Sequence, residues 1–227
     1  MNHLILNPKV RVRIYTIEYK LPIRIKYGTR FPYQHQKLLT AYKKILEYGI
    51  PAGKIVIGGD SAGGFNTLKC FEKIMDEHLP RPGGILLNSP LVDLWVPKNK
   101  YEQAQLLLGN SLQINSKKDY VSPRFLKTGL RLYKAPVDSS PSKRGAWYAE
   151  HLPKTFLAYG SGELLLDGIR AFETELRGGK VDLTTLVGKD EAHIFHVLDP
   201  GYSRNQQNWE EANASLVTWL SRIARAV

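Results

Sequence analysis

The stretch Lys54-Ile55-Val56-Ile57-Gly58-Gly59-Asp60-Ser61-Ala62-Gly63-Gly64-Phe65 decides the fold. It passes from an apolar strand pattern, through a glycine cluster, into a helical pattern carried by Phe65, Leu68, Phe71 and Met75. Within it Gly59-Asp60-Ser61-Ala62-Gly63 fits G-x-S-x-G in the strand-turn-helix setting that gives the pattern its meaning. A serine on so tight a turn takes a strained backbone, and side chains at Gly59 or Gly63 are expected to strike neighbouring elements. The turn lifts the Ser61 hydroxyl above the carboxyl end of a sheet, beside a helix N-terminus that favours developing negative charge. The Ala62 amide is then one oxyanion donor. The same glycines do not form a phosphate cradle, because Phe65-Asn66 stands where Walker A needs Lys-Ser/Thr, and G-x-G-x-x-G is not matched.

Outward from this turn, strands and helices alternate. Val10, Val12, Ile14 and Ile17 predict a strand, and Leu38, Tyr42, Ile45 and Leu46 predict a helix over 34–48. Downstream, Gly84-Ile85-Leu86-Leu87-Asn88 predicts a strand. From 91 to 152 the pattern dissolves into Pro, Lys, Ser and Tyr, with an apolar patch at Leu106-Leu107-Leu108, and reads as an inserted cap, helical or irregular. Order returns with a strand over 155–159, a helix over 165–177 stopped by Gly178-Gly179, and a strand over 181–187. Trp209, Ala212, Leu216, Trp219 and Ile223 step by three and four along a last amphipathic helix. The fold class is α/β, a mainly parallel sheet flanked by helices.

The 227 residues, 43% hydrophobic and 23% charged, suit one domain with a sizeable core and exclude disorder. The lone Cys70 makes neither an intrachain disulfide nor a cysteine zinc cluster and reads as a small buried apolar residue. No stretch reaches the ~18 apolar residues of a membrane span, and the first residues are too short for a secretory segment. The net charge of +11 concentrates as +6 over residues 1–30 and +7 over 96–145, without a run of four basic residues or a nucleic-acid motif. A nucleic-acid partner is therefore not expected.

A nucleophilic serine needs a base oriented by an acid, in the chain order serine, acid, histidine for this topology. His193 lies in a loop just after the last strand pattern. Glu163 follows the 155–159 strand directly, at its carboxyl end. Asp167, in the first turn of the next helix, is the alternative acid, although acids there ordinarily serve the helix dipole. His196 reads as structural, and His35, His78 and His151 as solvated surface.

With those residues in place, the chain resembles the hormone-sensitive-lipase-like branch of the α/β-hydrolases, the alpha/beta hydrolase-3 group, from about residue 12 onward. Gly59-Asp60-Ser61-Ala62-Gly63-Gly64 is similar to that branch's G-D-S-A-G-G motif. Tyr19-Lys20-Leu21-Pro22 with Phe31-Pro32 resembles its Y-R-L-A-P and F-P segment. Ser89-Pro90-Leu91-Val92-Asp93 resembles the segment after its sixth strand, and Ala192-His193-Ile194-Phe195 its catalytic-histidine loop. The acid pattern D-P-L-x-D reads Glu163-Leu164-Leu165-Leu166-Asp167 here, which sets the family's acid on Glu163. The resemblance implies a cofactor-free serine carboxylesterase or lipase: Ser61 attacks a small-molecule ester, His193 relays the proton and Glu163 orients the imidazole.

The branch's H-G-G-G oxyanion loop has no counterpart, since the first glycine is Gly28. In the family's topology the third strand lies between the fourth (here Val10 to Ile17) and the fifth (before Ser61), so an incomplete α/β-hydrolase is expected. It would be a single domain over 1–227, N-terminally truncated, with a cap at about 91–152 and an unpaired sheet edge. Losing one oxyanion donor typically costs about 2.7 to 4 kcal/mol in the barrier, so impaired activity is expected. Trp95, Tyr101, Tyr120, Phe125, Tyr133, Trp147 and Tyr148 in the cap either line an acyl pocket or pack the cap. The rival reading is a catalytically inactive fragment or a binding or scaffold protein. The basic cap adds an expectation of peripheral membrane or lipid contact. Compartment, cytoplasmic or membrane-associated, depends on what precedes Met1.

Overall fold

The computed structural model describes residues 11–19, 30–94 and 111–225. In chain order they form α1 (Tyr33–Glu47), β1 (Val56–Asp60), α2 (Ala62–Asp76), β2 (Gly84–Asn88), α3 (Ser111–Ile114), α4 (Pro123–Tyr133), α5 (Gly145–His151), β3 (Lys154–Gly160), α6 (Leu166–Arg177), β4 (Leu183–Gly188) and α7 (Gln206–Arg225). The four strands lie in the order β1-β2-β3-β4, all parallel, so their carboxyl ends share one edge.

Side-chain alternation divides this sheet into two faces. Ile57, Ile85, Leu87, Leu157 and Tyr159 point to the side covered by α1, α2 and α6, where they meet Leu39, Tyr42, Phe71, Ile169 and Phe172. Phe156 and Ala158 point to the other side, under Leu216, Trp219 and Ile223 of α7. Gly84 is required there: a Cβ at this position would lie 2.8 Å from the Trp219 ring. β3 is buried at every residue from Thr155 to Gly160, as expected of a central strand covered on both faces.

Elements that lie far apart in the chain are pinned by polar contacts. Buried Glu72 on α2 accepts from the Tyr148 hydroxyl at 2.5 Å and from Lys69, and Arg144 approaches it at 3.1 Å. These contacts tie the segment before β3 to the helix that follows β1. The apolar side of α4 (Leu126, Leu130, Tyr133) rests on Phe65, Leu91 and Phe31, and Tyr133 donates to Asn66 at 2.7 Å.

Several expectations are corrected. Residues 11–19 form no strand, and Val12, Ile14 and Tyr15 are exposed, so alternation there lacks the neighbouring strand that would turn it into a ladder; Val10 lies outside the described residues. β1 accordingly has a strand neighbour on one side only among the described residues. His35 is buried, not solvated, because it shares the α2-facing side of α1 with Leu39 and Tyr42 at spacings of four and three. His151 is half-buried, stacked on Trp147 at 4.6 Å, while His78 is exposed. Cys70 is buried, as read from the sequence. Among the cap aromatics, Tyr148 and Trp147 pack the core, Tyr133 packs α4, and Tyr120 and Phe125 face outward. Trp95, Tyr101 and Leu106-Leu107-Leu108 lie outside the described residues, as do Lys20 to Pro22 and Gly28.

Two predictions follow from this packing. Trp219→Ala removes the largest side chain between α7 and the sheet and should cost about 3–5 kcal/mol, read as a lower urea midpoint at unchanged slope. His35 and His196 are both buried, and burial first, with Lys69 and Lys73 adding for His35, lowers each from 6.5 to about 4. The unfolded imidazoles take up protons first, so stability present above pH 6.5 is lost as the pH falls toward 4, by at most about 3 kcal/mol per histidine. Chemical denaturation across that range should show the loss, and His35→Leu should flatten it.

Candidate active site

Ser61 sits between β1 and α2 with φ 55° and ψ −118°, a conformation that costs a non-glycine residue about 1–3 kcal/mol. Three main-chain bonds hold it there. Its amide donates to the Asn88 carbonyl at 2.9 Å, and its own carbonyl accepts from Leu91 at 2.9 Å and Phe65 at 3.2 Å. Gly59 and Gly64 make room for the turn, since a Cβ on Gly59 would lie 2.5 Å from the Gly63 backbone and one on Gly64 2.8 Å from Pro90. Gly63 needs no such room: a Cβ there meets nothing within 4 Å, contrary to the sequence expectation. Ala62, exposed, opens the 15-residue helix α2, so its amide belongs to the helix end that favours anions.

Glu163, fully buried, follows β3. Its Oε2 accepts from the Ser89 hydroxyl at 2.6 Å and the Gly160 amide at 3.1 Å. Its Oε1 faces Nδ1 of His193 at 3.6 Å, and neither atom has a hydrogen-bond partner among the described residues. Asp167 does not take part in this pair. It accepts from the Ser111 amide at 2.7 Å while the Ser111 hydroxyl donates to the Leu164 carbonyl at 2.9 Å, which makes Asp167 an anchor for α3.

His193, buried, follows β4, three strands away from Ser61 in sheet order. The histidine loop crosses back over the sheet edge to close that gap. The Ile194 amide donates to the Ser89 hydroxyl at 2.9 Å, and His196 Nε2 bonds Asn88 Oδ1 at 3.0 Å. Asn88 therefore holds the serine turn with its carbonyl and the histidine loop with its side chain. The Tyr120 ring lies 6.1 Å from the His193 ring, edge to face. Behind the loop, fully buried Glu191 accepts from Ser203, Arg204, Asn205 and Asn208. Burial raises the Glu191 pKa, but these four donors outweigh it and hold the carboxyl below its ordinary value.

The structure thus brings Glu163 to His193, brings the histidine loop to the strand beside Ser61, and sets Asp167 apart. The Ser61 hydroxyl itself hydrogen-bonds to no described residue. Ser89 and Asn88 are site residues that sequence reasoning missed as such. Their signal was present, since both stand at the carboxyl end of a strand adjacent to the serine turn. A cavity of about 200 Å³ lies beside the acid loop, lined by Pro90, Val92, Leu126, Leu164 and Asp167 among others.

Known proteins share this fold. The profile of the alpha/beta hydrolase-3 family, an alpha/beta hydrolase fold, matches residues 6–197. An acetyl-hydrolase of Streptomyces hygroscopicus is 25% identical over 190 residues, covering 83% of this chain and 60% of its own. An esterase of Acinetobacter venetianus is 27% identical over 146 residues, covering 63% and 45%. This chain therefore spans about half the length of these relatives. Among solved structures, the hormone-sensitive-lipase homologue EstE7 from a metagenome library superposes with a TM-score of 0.70 at 25% identity, over 88% of this chain and 65% of that one. Esterase E25 gives 0.67 at 25% identity, over 86% and 57%. The parallel sheet, the strained serine between its first strand and second helix, and a family profile spanning most of the residues agree: the chain belongs to the alpha/beta hydrolase fold family, in its hormone-sensitive-lipase-like branch.

Proposed function

We propose that this chain is a serine hydrolase of carboxylic esters, with Ser61 as nucleophile, His193 as general base and Glu163 as the acid that orients it. The observation that carries the reading is the buried Glu163–His193 pair, on a loop that reaches back to the strand whose Asn88 holds Ser61. Oε2 of the acid is occupied by Ser89 and Gly160, which leaves Oε1 for the imidazole and so selects the tautomer with its proton on Nδ1. The opposite nitrogen, Nε2, is then a base. It takes the Ser61 proton as the oxygen attacks the ester carbonyl, and returns it to the departing alcohol. The Ala62 amide, at the start of α2, meets the charge that develops on the carbonyl oxygen. Water, activated by the same imidazole, then releases the acyl group. The acetyl-hydrolase among the relatives supports a short acyl chain as substrate. The domain reading, one unit with a cap at about 91–152, belongs to the same proposal.

A second reading, a binding protein that keeps the hydrolase shell, is favoured by one observation: the Ser61 hydroxyl is engaged by no described residue. The two readings separate by experiment. A fluorophosphonate probe should label Ser61, and p-nitrophenyl acetate should turn over. Ser61→Ala and His193→Ala should each lower kcat by about 10³-fold or more, and Glu163→Gln by about 10²-fold or more, while Asp167→Asn stays within about threefold. A folded chain that neither labels nor turns over the ester, yet binds it, establishes the second reading.

A further inference from the structure

Asp119 lies in the cap, between α3 and α4, far in sequence from both loops of the site. Its carboxylate nevertheless reaches both. Oδ2 accepts the Leu164 amide at 2.8 Å, one residue after Glu163, and Oδ1 accepts the His193 amide at 3.4 Å. The Val121 amide also bonds Oδ1 at 3.2 Å, which fixes the side chain's own turn. Nearby Asn115, buried, donates to the Glu163 carbonyl at 2.9 Å and approaches the Ser161 carbonyl at 3.4 Å. Arg204 ties the same stretch from outside, bonding the Lys118 carbonyl and the Asp190 carbonyl.

We infer that Asp119 is a positioning residue: its carboxylate clasps the acid loop to the histidine loop, and so sets the distance between Glu163 and His193 from the cap. The physical case is one of donors and acceptors. The Leu164 and His193 amides both point at one acceptor group, and a carboxylate has two oxygens to offer them, each stronger than a neutral acceptor. An amide at this position presents an N–H₂ to one of the two N–H groups, so one loop is released. On the sheet side Ser89 makes the matching clasp, donating to Glu163 and accepting from Ile194. The acid and base are therefore held from two directions, by Ser89 on the sheet side and by Asp119 on the cap side.

This inference rests on the reading of Glu163 and His193 as a working pair, and the test separates the two. Proton NMR of the full chain follows the His193 Nδ1–H resonance, which lies far downfield when that proton is bonded to a carboxylate; Glu163→Ala, which removes the acceptor, identifies it. Asp119→Asn should broaden or remove this resonance while the core methyl spectrum stays that of the parent, and should slow fluorophosphonate labelling of Ser61 by about tenfold. Asp119→Glu, which keeps both oxygens, should restore most of each signal. If Asp119→Asn does not fold, Asp119→Ser carries the same expectation, since its hydroxyl serves the local turn without spanning both loops. Simple loss of charge would leave the resonance in place, so an unaltered downfield proton in a folded variant overturns the clasp and leaves the pair standing. A parent chain without that resonance overturns both.

Discussion

Burying a carboxylate without compensation costs several kcal/mol, and the carboxyl edge of this sheet is organised around supplying donors to buried Glu163. The side chain is fully enclosed, so each of its oxygens needs a donor. Ser89 and Gly160 supply one oxygen, and the imidazole stands opposite the other. This constraint explains why the residues after β2, β3 and β4 interlock more closely with each other than with solvent. It also explains the choice between two nearby acids. Asp167 is exposed and takes the Ser111 amide on Oδ2, whereas Glu163 is buried and keeps Oε1 opposite the imidazole.

The elements themselves were legible because they rest on periodicity and burial. The apolar runs at 84–88 and 155–159 and the three-four spacing from Trp209 to Ile223 describe faces that really are covered, which is why those readings agree with β2, β3 and α7. The serine turn was equally legible, since G-x-S-x-G is local chemistry between a strand and a helix. What was not legible depended on partners distant in the chain. The pattern from Val10 to Ile17 carries strand propensity, yet propensity acts only through a neighbouring strand, and among the described residues none pairs with 11–19. His35 resembles any helical surface histidine until α2 covers its side of α1. Gly63 was assigned a steric duty that belongs to Gly64, because which glycine faces Pro90 depends on how the loop after β2 passes over the helix. Asp119, whose partners lie 45 and 74 residues away, carries no local signature.

Histidine illustrates the same dependence on surroundings. Among the described residues three imidazoles are buried, and their environments differ in kind. His35 and His196 have no carboxylate beside them in the interior, and burial keeps them neutral well below the ordinary histidine range. His196 then serves as a neutral strut, its Nε2 bonding the Asn88 side chain to brace the loop against β2. His193, three residues earlier in the same loop, faces a carboxylate instead. Residue type and burial are shared, and the carboxylate opposite His193 is what sets its surroundings apart.

Strain at Ser61 completes the account, because a conformation at φ 55° persists only where the surroundings leave no alternative. Here the fixing comes from strand register. β1 and β2 pair so that Asp60 lies opposite Asn88, and the next amide in the chain, that of Ser61, finds the Asn88 carbonyl. The loop leaving β2 then returns Leu91 to the Ser61 carbonyl. A slip of one residue in this register would break both bonds and would also carry Asn88 away from His196, since the same residue braces both. Parallel pairing of adjacent strands thus sets the height of the serine, while the Asn88 side chain sets the reach of the histidine loop. At Asn88 the backbone and the side chain of one residue thus serve opposite halves of the site.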